Sequence, residues 1–241
     1  MTFFLVITFL FAVGSLFGWT LELVYRRFFS KNNPSKKWIN PGFLTGPYLP
    51  LYGFSLCILF LLTYVNVSFI ENVFWQKIAL FAVMALCITF IEYIAGLIFI
   101  HGMKIKLWDY SKCWGNIQGI ICPLYTFFWW ILSALYYFLI HPKINEWLFW
   151  FVNHISYSFF VGIFYGIFIV DLFYSLNIMA KIRKFAKENQ VVIRIENFKH
   201  HLREENDKIK GKIHFLFSMH NEHQNLFEGL KAYIEKIKQN K

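Results

Sequence analysis

Charged residues are scarce in this sequence. Only 16% of the residues are Asp, Glu, Lys or Arg, whereas 57% are hydrophobic and the mean hydropathy is +0.45. A soluble domain usually has about 25% charged residues, so this composition excludes an ordinary soluble domain and indicates an integral membrane protein. Acidic residues number 14 against 24 basic ones. The positive charge lies between and after long apolar runs, which is typical of a cytoplasmic membrane surface rather than of a nucleic-acid partner.

Cysteine is also rare, and several familiar catalytic motifs are missing. Cys57, Cys87, Cys113 and Cys122 contain no C-x-x-C pair, so the sequence predicts neither a disulfide framework nor a zinc site. The sequence has no Walker-type phosphate loop and no GxSxG, HExxH or GxGxxG motif in a suitable context. We therefore expect no metal and no cofactor, and any ATP that drives this protein must be hydrolysed by another chain.

Five apolar runs are each near or above the ~20 residues that cross ~30 Å of hydrocarbon. They predict an all-α integral membrane protein with transmembrane helices at about 3–25, 48–69, 74–100, 119–140 and 147–175. The first run is too long for the core of a signal peptide and has no basic segment before it, so it is interpreted as an uncleaved span. Residues 1–176 would form a transmembrane domain and residues 177–241 a basic helical tail in the cytoplasm.

The loop charges predict the orientation. Basic residues are concentrated in the first loop, with Arg26 and Arg27, and in the third loop, with Lys104 and Lys106. The positive-inside rule places both loops and the basic tail in the cytoplasm and the N-terminus outside. The expected location is the bacterial inner (cytoplasmic) membrane, which the chain crosses several times.

The stretch 38–54, WINPGFLTGPYLPLYGF, alternates prolines with glycines between two apolar runs and so cannot be a regular helix. Its pattern G-x-x-x-P-L-Y-x-F at 46–54 recurs at 119–127. Both copies follow a predicted inward span, so the chain would contain two helical hairpins related as a parallel repeat, plus a fifth span. In so biased a composition, a chance match is the alternative.

Two carboxylates lie within apolar runs, and each shares a helical face with small residues that allow close helix approach. Glu22 precedes Arg26 by four residues, the spacing of an interfacial ion pair, and that structural role is favoured for it. Glu92 has no basic residue near it before His101, so it would lie about two turns inside the boundary, where an ionisable group is costly. Glu92 is either a protonatable or substrate-coordinating group or a buried hydrogen-bond anchor.

The third loop carries W-D-Y-S at 108–111, followed by Asn116. Asp109 could cap a turn or pair with an arginine of the first loop. A catalytic nucleophile or base at this position would lack a partner in the sequence. A loop-ordering role is therefore favoured for Asp109.

The last part of the chain changes character. Ser158, Gly162 and Gly166 form a ridge of small residues, which predicts that the fifth helix packs on its neighbours. Beyond residue 176, apolar residues at helical spacing predict two amphipathic helices, interrupted near Gly211. Basic residues just beyond the membrane suit anionic lipid headgroups. The tail is either a solvated, partly coiled-coil segment or an arm that recruits a soluble ATPase or another cytoplasmic partner, and homo-oligomer formation also stays open.

Several short motifs carry a family resemblance. They are Gly18-Trp19 with Glu22, Asn40-x-Gly42-Phe43-Leu44-x-Gly46-Pro47-Tyr48-x-Pro50-Leu51-Tyr52-Gly53, Glu92-Tyr93, Trp108-Asp109-Tyr110-Ser111 and Asn116-x-x-Gly119. Over residues 1–142 the chain resembles the bacterial putative ABC-transporter permease family, formerly a domain of unknown function. The resemblance implies a multi-span inner-membrane protein, without a substrate or a catalytic residue. Pro41 and Ile120 stand where the family often has basic residues, which weakens any phosphate-binding role of these loops.

Two sets of candidate residues follow. The candidates for a substrate or ion pathway are Glu22, Asn40, Glu92, Asp109 and Asn116. The structural turn motif comprises Gly42, Gly46, Pro47, Pro50, Tyr52, Gly53, Trp108, Tyr110, Gly119 and Pro123.

Three functions are consistent with these features. The favoured one is a permease-like membrane component of a transport system of unknown substrate, energised, if at all, by a separate chain. The second is a membrane enzyme that acts on a lipid or lipid-linked substrate at the cytoplasmic leaflet, with Glu92, Asp109 and Asn116 as its polar groups. The third is a non-catalytic membrane scaffold. An enzymatic activity is less favoured than its absence.

Overall fold

The computed structural model describes residues 2–30, 33, 36–68, 70–209, 229, 231–233 and 235. In this part of the chain almost all regular structure is helical. The long elements are α1 (Thr2–Phe28), α2 (Pro50–Leu62), α3 (Val73–Leu97), α4 (Pro123–Leu135), α5 (His141–Asn153), α6 (Ser158–Glu188) and α7 (Ile195–Ile209). The short elements are two π-helical turns (Ile98–Gly102 and Tyr136–Ile140), a 3-10 turn (Ile155–Tyr157) and the strands β1 (Ile105–Lys106) and β2 (Ile193–Arg194).

These elements belong to two compact units. Unit 1 consists of Met1–Gly18, Tyr48–Leu97 and Asp109–Ile169, and unit 2 consists of Trp19–Pro47, Ile98–Trp108 and Val170–Lys241. The predicted interruption at Gly211 and most of the second predicted tail helix lie outside the described residues.

Four helical stretches are long and apolar enough to cross a membrane: Phe3–Phe28, Val73–Gly102, Pro123–Asn153 and Ile155–Glu188. Large apolar side chains on them are exposed, such as Phe90 and Phe160, which suits contact with lipid. The predicted fold of apolar, spanning-length helices is therefore confirmed. Helix α2 has 13 residues, which rise about 20 Å against ~30 Å of hydrocarbon, so the count of five spans stays a prediction.

Two helix boundaries differ from the predicted spans. The predicted loop at 141–146 is helical, because α4, the following π-helical turn and α5 run together as Pro123–Asn153. Pro142 lies in the first turn of α5, where a missing backbone N–H is tolerated. The break falls instead at His154, which has φ −125° and ψ 57°. The predicted domain boundary at 176 also lies inside a helix, since α6 continues to Glu188.

Close helix packing organises unit 1. Helix α3 packs against α2 and α4 around the buried side chains of Leu80, Phe81 and Met84. Helix α2 lies against α1 at Gly53, where an added Cβ would come within 2.7 Å of the carbonyl oxygen of Phe11. Only a residue without a side chain lets the two backbones approach this closely.

The small-residue ridge of α6 has no such contacts. A Cβ added at Gly162 or Gly166 would meet no heavy atom within 4 Å, so this ridge faces open space within the described part of the chain. Helix α6 contacts α1 through Tyr165, whose hydroxyl donates to the carbonyl oxygen of Thr8 at 3.1 Å. The ridge therefore does not pack as the sequence predicted.

Unit 2 has its own apolar core and a short parallel strand pair. Strand β1 pairs with β2, with Ile105 opposite Ile193, and both side chains are fully buried. The core residues come from β1, α6, β2, α7 and the end of the chain: Ile105, Met179, Ile182, Ala186, Ile193, Ile195, Phe198 and Tyr233. The first tail segment thus packs onto a core instead of being wholly solvated.

Candidate functional site

Glu92 of unit 1 is buried in an apolar helix and accepts hydrogen bonds from two neutral donors. It is 4% exposed. The hydroxyl of Tyr110 donates to Oε1 at 3.0 Å, and the indole N–H of Trp129 donates to Oε2 at 3.1 Å. Because both groups donate, they offset part of the cost of burying a polar carboxyl group in an apolar helix.

Aromatic packing holds these donors in place. The ring of Tyr110 stacks on that of Tyr125 of α4, with 4.1 Å between ring centroids. One turn before Glu92, the hydroxyl of Thr89 donates to that of Thr126 at 3.1 Å. Glu92, Tyr110 and Trp129 are called the Glu92 site below. It is a polar group fixed between two apolar helices, α3 and α4, and the start of the third loop.

The third loop is ordered by its own polar side chains. Asp109 accepts from the hydroxyl and the backbone N–H of Ser111. Asn116 donates to the carbonyl oxygens of Ser111 and Cys113 and accepts from the N–H of Gly119 at 3.0 Å. Gly119 has φ +69°, and a Cβ there would approach Asp109 Oδ1 within 3.1 Å, so glycine is required at this turn. These bonds fit the loop-ordering interpretation of Asp109 and extend it to Asn116.

The first loop, in unit 2, is organised around Asn40. Its side-chain N–H groups donate to the carbonyl oxygens of Leu44 at 3.1 Å and Thr45 at 2.8 Å. Its side-chain oxygen accepts from the indole N–H of Trp19 at 2.6 Å. Gly42, inside the bonded turn, has φ +77°, which favours glycine. Asn40 therefore shapes the loop.

Asp171 of α6 holds the other end of this loop. Its carboxylate accepts from the backbone N–H of Thr45, from the hydroxyl of Thr45 at 2.5 Å and from the N–H of Gly46 at 2.8 Å. Ser175, one turn further along α6, also donates to it. Several donors to one carboxylate form a strong, charge-assisted network that satisfies the buried charge.

Glu22 forms the predicted ion pair with Arg26, at 2.8 Å. Arg26 also pairs with Glu196 of α7 at 3.6 Å, which the sequence did not reveal. One turn along α7, the ammonium of Lys199 donates to the carbonyl oxygens of Asn40 and Gly42, both at 2.9 Å. A single face of α7 therefore bonds with both the end of α1 and the first loop.

Burial lowers the pKa of Lys199 to about 8, from an ordinary value of 10.5. The positive charge of Arg26 adds to this lowering, and Asp171 opposes it. The ammonium is thus held by carbonyl dipoles in a place where its charge is poorly solvated.

The remaining turn-motif residues have structural positions. Pro50 and Pro123 are the first residues of α2 and α4, and each follows an extended residue. Tyr52 packs against Gly18, where an added Cβ would collide with its ring. Pro47 and Trp108 lie at the ends of two segments of unit 2.

The five candidate residues for a substrate or ion pathway are divided between the two units. Glu92, Asp109 and Asn116 belong to unit 1, where Tyr110 links the third loop to Glu92. Glu22 and Asn40 belong to unit 2. Sequence reasoning missed Trp129, because an indole inside an aromatic-rich apolar run gives no sign of a polar partner. It also missed Lys199, which resembles any basic residue of an amphipathic tail.

Apolar helices of spanning length, with a hydrogen-bonded carboxylate inside one of them, define a multi-pass membrane protein. The chain belongs to a family described as "Putative ABC-transporter type IV", whose model matches residues 9–176. This match confirms the resemblance seen in the sequence motifs. No curated protein and no solved structure is significantly similar to the chain.

Proposed function

We propose that this protein is a permease-like subunit of a membrane transport system that a separate ATPase energises. The observation that carries the proposal is the family match over residues 9–176, which includes two of the four long apolar stretches entirely and most of the first and last. The lack of a phosphate-binding loop in the sequence supports a separate site of ATP hydrolysis. One chain of this size is small for a complete pathway, so assembly with further subunits, among them copies of this chain, is part of the proposal.

The Glu92 site is the proposed polar binding position along the transport pathway. An ionisable group inside a spanning helix is costly and is a functional candidate by default. Tyr110 and Trp129 hold the carboxylate without a full opposite charge of their own. A carboxylate can exchange neutral donors such as these for a cation or a cationic substrate group.

The proposed orientation places the N-terminus outside and the tail in the cytoplasm of the inner membrane. The loop charges supply the direction. Unit 2 supports a common side for the end of α1, the residues that follow α3 and the end of α6, because all three belong to this one unit. If these three helices each cross the membrane towards the same side, the chain must return twice, once through α2 and once through α4 and α5. Five crossings follow. Membrane lipids would surround the exposed apolar helix surfaces, and unit 2 is the proposed docking face for the ATPase.

The two hairpins are proposed to be an internal repeat. Helices α2 and α4 are each 13 residues long, each begins at the proline of the repeated pattern, and each is preceded by an extended residue. The glycines of the pattern differ, since Gly119 has a positive φ and Gly46 does not. The helix starts therefore support the repeat more than the turns do.

The test is ATP hydrolysis by the complex purified from native membranes. Affinity-tagged full-length protein, extracted in mild detergent and reconstituted in lipid, is expected to carry vanadate-sensitive Mg-ATP hydrolysis. Glu92→Gln removes the charge at the pathway and should change the ATPase turnover several-fold at equal subunit content. Glu146→Gln is the matched control, because this exposed carboxylate only pairs with Lys143 at the surface of α5.

The outcomes separate two claims. If the wild-type complex hydrolyses no ATP above background, the energised-permease proposal is wrong. If hydrolysis is present but Glu92→Gln and Glu146→Gln behave alike, the protein remains a transport subunit and Glu92 is not part of its pathway.

A further inference from the structure

Arg27, at the end of α1 in unit 2, lies over an aromatic ring. Its guanidinium carbon lies 4.0 Å from the centroid of the Trp38 ring and 5.4 Å from that of Phe28. The rings of Phe28 and Trp38 meet edge to face, with centroids 6.2 Å apart. A guanidinium presents a planar fork of N–H donors, which is the arrangement that recognises phosphate and carboxylate oxygens.

A second arginine reaches the same tryptophan from α7. Arg203 Nη1 donates to the carbonyl oxygen of Trp38 at 3.4 Å. The Nε atoms of both Arg27 and Arg203 are buried and have no hydrogen-bond acceptor within the described residues. Two half-buried guanidinium groups therefore converge on Trp38 with unused donors, an arrangement that an anion would complete.

The carboxylates near this pair are engaged by another residue. Glu22 and Glu196 both bond with Arg26, the neighbour of Arg27, at 2.8 and 3.6 Å. In the described part of the chain no ion pair joins a carboxylate to Arg27 or Arg203. Within the described residues, the charges of Arg27 and Arg203 are therefore available to an anion.

The surroundings point to the membrane interface as the source of the anion. Tyr25, Phe28 and Phe29 are more than half exposed, and Trp38 is 37% exposed. Exposed aromatic residues beside arginines are typical of the headgroup region, where an aromatic ring meets the acyl boundary and a guanidinium meets phosphate.

We propose that Arg27, Trp38 and Arg203 form a binding site for the phosphate of an anionic phospholipid headgroup. Arg27 supplies a planar fork of donors over the Trp38 ring, Arg203 supplies a second guanidinium from α7, and the exposed rings contact the glycerol and upper acyl region. The occupied site ties the end of α1, the first loop and α7 to the lipid surface. It is independent of the proposed transport function and would serve an enzyme or a scaffold equally well.

The experiment measures thermal unfolding of full-length, delipidated protein in detergent as lipid is added. The probes are phosphatidylglycerol, phosphatidylcholine and inorganic phosphate. Phosphatidylglycerol is expected to raise the Tm of the wild type, and half-maximal stabilisation should need about fivefold more of it in Arg27→Gln and in Arg203→Gln. Lys184→Gln is the matched control, because it removes one exposed basic charge of α6 that lies outside the site.

The Tm of each variant with lipid is compared with its own lipid-free Tm, so that a general loss of stability is not mistaken for a loss of binding. If one arginine variant does not fold, the other variant alone tests the site. Arg27→Lys keeps the charge without the planar fork and should fall between wild type and Arg27→Gln. Equal lipid responses in all variants, or an equal loss in Lys184→Gln, would overturn the site. If inorganic phosphate gives the same arginine-dependent shift and phosphatidylglycerol gives none, phosphate recognition stands and the lipid source is wrong.

Discussion

At the scale of single residues, the buried ionisable side chains differ in the groups that hydrogen-bond to them. Glu92 takes hydrogen bonds from a phenol and an indole, whereas Asp171 takes them from backbone N–H groups and hydroxyls. Lys199 is the converse, a cation held by two backbone carbonyl oxygens. Backbone partners are fixed by the loop conformation, so Asp171 and Lys199 stabilise the first loop. Tyr110 and Trp129 donate to Glu92 from their side chains, and the ring of Tyr110 is packed against Tyr125.

Lys199 gives a prediction about stability and pH. Its pKa is lowered to about 8 in the fold, against 10.5 for an ordinary lysine, so between these values the unfolded chain binds more protons than the folded one. Its contribution to stability is therefore complete above pH 10.5 and is lost as the pH falls to about 8. Thermal unfolding of wild type and Lys199→Met should show a stability difference, in favour of the wild type, that grows from pH 8 to pH 10.

The same substitution tests the two hydrogen bonds. Lys199→Met leaves the carbonyl oxygens of Asn40 and Gly42 without this donor, which should cost about 1–3 kcal/mol at pH 9. Lys184→Met, at an exposed position of α6, should differ from wild type by a constant amount across this pH range. A difference between wild type and Lys199→Met that shrinks as the pH rises would contradict the buried position of the ammonium.

At the scale of elements, glycine determines how α1 and α2 meet. Gly53 lies against the backbone of Phe11 and the side chain of Ser15. A Cβ added at Gly14 would lie 3.1 Å from the Cα of Gly53. Between apolar helices in lipid, such close contact replaces the hydrophobic effect as the source of association. Helix α2 is too short to cross the membrane by helical rise alone, so its attachment to α1 has to fix its position.

Gly53→Ala should therefore destabilise the protein, whereas Gly162→Ala should not. The added methyl group at Gly53 overpacks the contact with α1, at a cost of about 1–3 kcal/mol. At Gly162 nothing lies within 4 Å, so alanine can only improve helix propensity. Each kcal/mol corresponds to about 2–4 °C in the Tm of a chain of this size. Thermal unfolding in detergent measures both variants, and equal Tm values for the two would show that α1 and α2 do not touch at Gly53.

The elements were predictable where a local signal exists. Long apolar runs fixed the helices α1, α3 and α6, and prolines marked the starts of α2 and α4. Residues 141–146 were misjudged because Pro142 and two charges resemble a loop, although a proline in a first helical turn does not end a helix. Strands of two residues, such as β1 and β2, give no alternation to detect. The partners Trp129 and Lys199 depend on contacts across more than 30 positions of the chain, which one sequence does not encode locally.

At the scale of the whole molecule, the number of membrane crossings depends on where the helices that lead into unit 2 end. Helix α1 runs from unit 1 residues into unit 2 residues, and α3, which lies wholly in unit 1, is followed directly by unit 2 residues from Ile98 onward. A re-entrant α2 would return the chain to its starting side, so α1 and α3 would then cross in opposite directions. The ends of α1 and α3 would then lie at opposite membrane faces. The prediction of five spans therefore requires the short α2 to complete its crossing with the extended and turn residues around it, at 48–49 and 63–68.

Cysteine labelling decides between the two topologies. In a variant without Cys57, Cys87, Cys113 and Cys122, a cysteine is introduced at Asn66, in the exposed turn after α2, or at Lys187, at the exposed end of α6. With five crossings, a membrane-impermeant maleimide should label Asn66→Cys in intact cells and Lys187→Cys only after permeabilisation. A re-entrant α2 would protect Asn66→Cys in intact cells as well, because the turn after α2 would then share the side of the first loop. Protection of Asn66→Cys together with labelling of Lys187→Cys in intact cells would leave four crossings and place both termini on one side, because α3, the continuous α4–α5 helix and α6 would then carry the chain across the membrane three times between the two positions.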